Sequence, residues 1–282
     1  MLNICFVVVL YNTSIEESSA CRTLLSARVP PGMRLLGLIF DNTPGKAAET
    51  RILDDCIDYC SSGRNLGLPA AYNAAIRHGL LRGADYILLV DQDSSVTDEF
   101  LEAAAQALER PLPHQVAWVP YVLANNRVIS PYRVNALGVP KFGYDPSRPT
   151  ATYFAINSYS VISLSFLTQL GGFEQHYWLD ALDSWFYSYV AQAACTVGII
   201  DITVRHSLSL LDGNVPTWRL LNIARYETCF HWERLSPLQA ITGTFRVLAR
   251  GVFNVRALLS SGQTLAYLSA VTAGVRSGLA RR

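Results

Sequence analysis

Residues 86–94 read Tyr86-Ile87-Leu88-Leu89-Val90-Asp91-Gln92-Asp93-Ser94, an apolar run followed at once by two carboxylates one residue apart. Such a short, continuous apolar run is the pattern of a strand covered on both faces. Residues 4–10 (ICFVVVL) and 35–40 (LLGLIF) repeat it upstream. Residues 14–25 and 69–81 read as helices, the second with Ala70, Ala71, Ala74, Ala75 and Ile76 as a close-packing face. Strand, helix, strand in this rhythm predicts an α/β fold with a parallel sheet. Such sheets bind ligands beyond the carboxyl ends of their strands, which directs attention to Tyr11 and Asn12, to Asp41 and Asn42, and to residues 91–94.

Outward from that core, a helix is expected over 97–109, stopped by Pro111 and Pro113. Residues 115–165, punctuated by five prolines, read as short strands and loops. Gly171-Gly172 breaks the chain before a helix over 179–194, and a last strand over 196–202 leads to Arg205-His206. From about Pro216 the pattern is helical and rich in arginine. The expected division is a catalytic domain over 1–215 and a basic helical extension over 216–282.

The chain has 282 residues, 50% hydrophobic and 16% charged, which excludes a disordered or fibrous protein. Of its 23 lysines and arginines, seven (Arg234, Arg246, Arg250, Arg256, Arg276, Arg281 and Arg282) follow Glu233, beyond which there is no acid. The remaining 16 face all 22 acids, so an acidic body carries a basic tail although the total is only +1. No overall excess of positive charge points to nucleic acid. The six cysteines form no CxxC pair and no secretory leader precedes the first strand, so a reducing cytoplasm is expected. Residues 257–275 are long and uncharged, but their Ser, Gln, Thr and Gly content argues against a membrane span.

Two carboxylates at a strand end can converge on one hard cation, Mg²⁺ or Mn²⁺, which keeps positions open for substrate phosphates; the same residues also suit a plain polar turn. In residues 64–73 Gly67 permits a tight turn and Pro69 suits a first helical position. A capped helix accounts for both, but not for Asn65 and Asn73 together.

Taken in order, Val8-Val9-Leu10-Tyr11-Asn12, Asp41-Asn42, Asn65-Leu66-Gly67 with Asn73, residues 91–94, and Gly171-Gly172-Phe173 ahead of Asp180-Ala181-Leu182-Asp183 resemble the inverting family-2 glycosyltransferases of the GT-A fold. Within them the series is most similar to the bacterial rhamnosyltransferase-like branch, over roughly residues 3–210. The resemblance implies a nucleotide-sugar donor, with dTDP-rhamnose the first expectation and a UDP-sugar the second. Tyr11 and Asp41 match positions lining the nucleobase and ribose pocket. Asp91 and Asp93 match the DXD motif that holds the metal, and His206 falls where many relatives carry a metal- or diphosphate-binding histidine. Asp183 matches the catalytic base, with Asp180 three residues before it left open as the alternative. That branch usually carries Glu and Arg after the base. Here the run is Ser184-Trp185-Phe186-Tyr187-Ser188-Tyr189, and Trp185 and its aromatic neighbours divide between core packing and a sugar-stacking platform.

The expected activity is transfer of a sugar to a hydroxyl of a glycan or lipid-linked glycan in cell-surface polysaccharide synthesis. A non-catalytic glycan- or nucleotide-sugar-binding relative is the alternative, against which Asp91, Asp93 and Asp183 count. A nucleotidyltransferase would carry a Gly-rich basic loop where Tyr11-Asn12-Thr13-Ser14 stands. In the tail, Ile241, Phe245, Leu248, Val252 and Val255 fall on one helical stripe opposite Arg246 and Arg250. A helix of this kind is expected to lie on the anionic inner face of the cell membrane, arginines toward the headgroups.

Overall fold

The computed structural model describes residues 1–206 and 215–282, apart from the side chains of 255–257. Val255 and Arg256 of the expected tail pattern therefore lie outside the described side chains.

Three strands carry the long apolar runs: β1 (Leu2–Leu10), β2 (Met33–Asp41) and β5 (Tyr86–Asp91). β1 pairs in parallel with both others. Its side chains alternate between two cores. Cys5 and Val7 join one cluster, and Ile4, Phe6, Val8 and Leu10 the other, which is why the run is apolar without a break. The second cluster is closed by α1 (Ser19–Leu25) and α3 (Asp98–Glu109), the first by α2 (Gly67–Leu81), α4 (Leu164–Leu170) and α5 (Leu182–Gln192).

Beyond β2 lie β4 (Ile57–Ser61), parallel, and β3 (Glu49–Ile52), an exposed antiparallel edge. On the other flank β10 (Val161–Ser163) runs antiparallel between β5 and β6 (Gln115–Ala124). β6 pairs in parallel with β11 (Thr196–Arg205) and carries the hairpin strand β7 (Arg127–Ser130). The order is β11-β6-β10-β5-β1-β2-β4-β3, a mostly parallel sheet between helices. β8 (Tyr132–Val134) and β9 (Pro140–Phe142) form a separate small ribbon.

Several boundaries differ from expectation. The helix expected over 14–25 starts at Ser19, because Ser18 caps it by accepting from the Cys21 amide while Ser14 and Glu17 close a turn ahead of it. The helix expected over 179–194 starts at Leu182, because Ala181 adopts the left-handed conformation (φ 64°). Residues 115–124 form one long strand despite Pro120. The β6/β11 register breaks between the Val119 and Tyr121 pairings, where the missing proline N–H costs no ladder bond.

The extension comprises α6 (Thr217–Arg234), α7 (Pro237–Phe253), α8 (Val255–Ser260) and α9 (Thr264–Arg281). These helices share a small core around Leu220, Val247, Leu258 and Tyr267. α6 also places Cys229 and Phe230 in the first of the two clusters that flank the sheet. A Cβ at Gly278 of α9 would strike the Cys229 carbonyl of α6, so glycine sets how closely the two helices lie. Arg281 bonds Glu233 (3.1 Å) and Glu174 (3.1 Å), and the Tyr177 hydroxyl donates to Glu233 (2.6 Å).

The arginines of α7 face inward. Arg246 donates to the carbonyls of Leu137 and Gly138, and Arg250 pairs with Glu227. Arg234 lies 3.9 Å from the Tyr189 ring centroid. The apolar side of α7 faces solvent instead, with Phe245 67% and Phe253 88% exposed. This reverses the orientation in which Arg246 and Arg250 would reach headgroups.

Candidate active site

A cleft of about 980 Å³ opens at the carboxyl ends of β1, β2 and β5 and is closed on the far side by α6 and α7. At one end the β1 terminus presents Tyr11, which is anchored by Gln92. The Gln92 Oε1 accepts the Tyr11 amide (2.8 Å) and its carbonyl accepts the Ser18 hydroxyl (2.8 Å). Half-exposed, the Tyr11 ring stands on the cleft wall.

The opposite wall of that end is the turn into α2. Asn42 is buried and clamps it, donating to the Gly67 carbonyl (3.0 Å) and accepting the Leu66 amide (3.2 Å). Asn65 closes an Asx turn onto the Gly67 amide (3.0 Å). Gly67 has φ +82°, and a Cβ there would sit 2.7 Å from the Trp178 carbonyl, which already accepts the Leu68 amide (2.9 Å). Only glycine fits between that turn and Trp178.

At the end of β5, Asp91, Asp93 and His206 bring their ligand atoms within 4.8 Å of one another. His206 Nε2 lies 3.4 Å from the Asp91 carboxylate, and its Nδ1 faces the Ser94 hydroxyl (3.4 Å), itself bonded to Ser158 (2.9 Å). This chain of hydroxyls fixes the imidazole so that Nε2 points at the acids. Burial raises the Asp91 pKa, opposed by the His206 charge and assisted by that of Asp93. A cluster that holds two carboxylates together against repulsion is suited to a cation, and one nitrogen among oxygens suits Mn²⁺.

Asp183 opens α5 and lines the same cleft. One oxygen, Oδ1, accepts the Ser184 amide (2.7 Å). Burial pushes its pKa up to about 6 against that hydrogen bond, and the charges of Asp180 and Asp91 push the same way. Asp180 is paired with Arg219 of α6 (3.1 Å). Burial raises its pKa too, with Arg219 opposing. Of the two acids, Asp183 is the one with no ion-pair partner among the described residues.

Three of the expected site residues lie off the cleft wall. Asp41 is fully buried, with its carboxylate taken by Lys46 (2.6 Å), Tyr59 (2.9 Å) and the Thr43 amide (2.8 Å). Burial would raise its pKa, but these bonds outweigh it and hold the group below the usual range. Asn73 ties α2 to the loop after α4, bonding both the amide (2.7 Å) and the carbonyl (2.8 Å) of Phe173. Trp185 is buried against Phe173 and Tyr189. Trp178 and Trp218 are the tryptophans on the cleft wall; Ser158, Arg219 and Glu227 join them there without having been singled out in the sequence, as does Arg250, which the sequence pattern turns toward a membrane.

Residues 40–171 match the family model Glycosyl transferase family 2. This stretch runs from the end of β2 through the Asp91–Asp93 pair to the glycines before α5. A 101-residue stretch is 30% identical to the dTDP-rhamnosyl transferase RfbF of Shigella flexneri, covering 36% of this chain and 32% of that protein, so the match spans about a third of that relative's length. Among solved structures, S. aureus TarS 1-349 in complex with UDP-GlcNAc superposes with a TM-score of 0.57 at 12% identity, covering 98% of this chain and 81% of that one. GalNAc-T7 with UDP, GalNAc and Mn²⁺ gives 0.55 at 12% identity, covering 91% and 57%. At these identities the likeness is one of fold, and the fold is GT-A.

Proposed function

We propose that this chain is an inverting glycosyltransferase that moves a sugar from a nucleoside diphosphate to a hydroxyl of a glycan or lipid-linked glycan, in cell-surface polysaccharide synthesis. The observation that carries the reading is Asp183, a carboxyl with its pKa near 6 and no ion-pair partner among the described residues, in one cleft with the Asp91, Asp93 and His206 cluster. A base needs a pKa close to the working pH and a free lone pair at the acceptor. With Oδ1 held by the Ser184 amide, Oδ2 is the atom that takes the acceptor proton as the hydroxyl oxygen attacks the anomeric carbon. The bond to the leaving diphosphate breaks on the opposite face, which inverts the centre. Mn²⁺ or Mg²⁺ held by Asp91, Asp93 and His206 would neutralise charge on the departing diphosphate. Tyr11, Asn65 and Gly67 shape the nucleotide end, where Tyr11 supplies an aromatic face for a base.

Rhamnose from dTDP-rhamnose is the first donor proposed, supported by the partial match to a dTDP-rhamnosyl transferase. A UDP-sugar is the second, supported by the ligands of the TarS and GalNAc-T7 structures. The proposal includes peripheral attachment at the inner face of the cell membrane. Among the described residues no helix is long and apolar enough to cross a bilayer, while the exposed Ile241, Phe245, Val252 and Phe253 of α7 suit shallow insertion. The test is a donor panel: nucleotide sugars with Mn²⁺ or Mg²⁺, scored for nucleoside diphosphate release. Release from none of them, with and without glycan acceptors, would refute the reading.

A further inference from the structure

The cleft carries a second group of polar side chains that the donor chemistry does not use, contributed mainly by the C-terminal helices. Arg219 and Glu227 come from α6, Arg250 from α7, and Asp180 from the loop before α5. They form two ion pairs, Asp180 with Arg219 and Glu227 with Arg250. The pairs are incomplete. Asp180 is 9% exposed at its side chain, yet among the described residues its Oδ2 has no hydrogen-bond partner, and neither has the Nε of Arg219. Buried polar atoms left without partners cost stability, and such atoms on a ligand-sized cleft mark where a ligand supplies the missing bonds. On the rim above them α6 presents Trp218, 54% exposed.

We infer that Asp180, Arg219, Glu227, Arg250 and Trp218 form the acceptor subsite, and that it takes a neutral sugar ring with adjacent hydroxyl groups. This rests on the glycosyltransferase reading above and adds where the acceptor binds and what kind it is. Position supports it: Asp183 lines the same cleft as the cation cluster and this group, and lies near enough to both Asp91 and Asp180 to feel their charges. The charges identify the ligand. Two acids and two bases leave the subsite neutral, so a phosphate or carboxylate bound there would meet as much repulsion as attraction. Hydroxyl groups, which both donate and accept, can satisfy Asp180 Oδ2 and Arg219 Nε together. An exposed indole suits the apolar face of a pyranose. The C-terminal helices thereby complete the active site instead of only supporting it.

The test uses the full chain and saturation-transfer NMR titrations with methyl glycosides of neutral hexoses and 6-deoxyhexoses. Glucose 1-phosphate and glucuronic acid serve as anionic probes, and every arm is run with and without nucleoside diphosphate and Mn²⁺. The expected result is binding of neutral glycosides in at least one condition and weaker binding of the anions. Trp218→Ala and Arg219→Met should each weaken glycoside binding by roughly 10-fold or more, the size of one lost stacking or charged hydrogen-bond contact. Trp218 is exposed, so its variant folds even if Arg219→Met does not. Nucleoside diphosphate binding in Trp218→Ala should equal that of the wild type. No glycoside binding in either condition, preference for the anions, or Trp218→Ala binding glycosides like the wild type would overturn the inference. Those outcomes with nucleotide binding and donor turnover intact sink the subsite alone, whereas loss of turnover with every donor sinks the glycosyltransferase reading.

Discussion

Replacing Asp183 with asparagine should make the protein inactive and more stable at once. The Asp183 carboxyl is raised from 3.8 to about 6, first by burial. At about 1.4 kcal/mol per unit, holding it ionised at pH 8 costs the fold up to about 3 kcal/mol, and solvent access from the open cleft reduces this to about 1–3 kcal/mol. A raised carboxyl pKa means that the folded state holds the proton more tightly than the unfolded chain. The penalty is therefore absent below about pH 4, grows as pH rises toward 6, and is complete above it. Asparagine keeps an oxygen for the Ser184 amide and carries no charge, so it removes the penalty and little else. Thermal unfolding at a series of pH values should show Asp183→Asn melting several degrees above the wild type at pH 8, at about 2 °C per kcal/mol, with the gap closing toward pH 4. Turnover of the wild type should fall below pH 6 by about tenfold per unit, and the variant should lose roughly 10²–10⁴-fold at every pH. A variant that melts lower than the wild type at pH 8, or a gap that does not change with pH, would show that Asp183 is a structural cap and not a strained base.

Removing the cation cluster should separate its members. Asp93→Ala should abolish metal-dependent nucleotide binding, while His206→Ala, which leaves only oxygen ligands, should shift the preference from Mn²⁺ toward Mg²⁺ in metal titrations; full activity in excess EDTA would contradict both. Gly67→Ala should cost at least about 1–2 kcal/mol from its left-handed backbone alone, and more from contact with the Trp178 carbonyl, lowering the melting temperature and nucleotide affinity together. Flotation with anionic liposomes should persist at high salt, because Arg246 and Arg250 are engaged internally, and Phe245→Ser with Phe253→Ser should weaken it roughly 10–100-fold. Flotation that salt abolishes and the double variant retains would mean that charge alone holds the protein to lipid.

How much of this was legible depended on whether the deciding partner was local. β1, β2 and β5 are apolar on both faces because helices cover both, and that pattern survives in the bare sequence. β3 and β4 leave no such trace, since residues 49–52 are exposed and residues 57–61 alternate buried with half-buried positions and include Asp58 and Ser61. Asp91 and Asp93 were readable because a strand end is a local event. Asp41 was readable as a strand-end acid, but its partners Lys46 and Tyr59 turn it inward, and nothing in the residues from 41 to 46 distinguishes a carboxylate that faces ligand from one that braces a loop. Trp178 and Trp185 belong to one aromatic run, and the left-handed turn at Ala181 separates them, one onto the cleft and the other into the core.

The C-terminal helices make the same point about sign. Ile241, Phe245 and Val252 of the expected stripe do share the exposed side of α7, while Leu248 packs on the C-terminal core; a helix with an apolar side and an arginine side can dock either way, and the choice is made by what it meets. Here it meets the Glu227 carboxylate on α6 and the carbonyls of Leu137 and Gly138, acceptors within reach of the two guanidinium groups. Turning Arg246 and Arg250 toward them satisfies these groups and leaves the phenylalanines outside. The same inward turn brings Arg250 and Glu227 to the cleft wall beside Asp180 and Arg219. The charge excess that in the sequence suggested a membrane-facing tail thus supplies part of the cleft wall through Arg250, and the outer side of α7 that is proposed to meet the membrane is apolar surface.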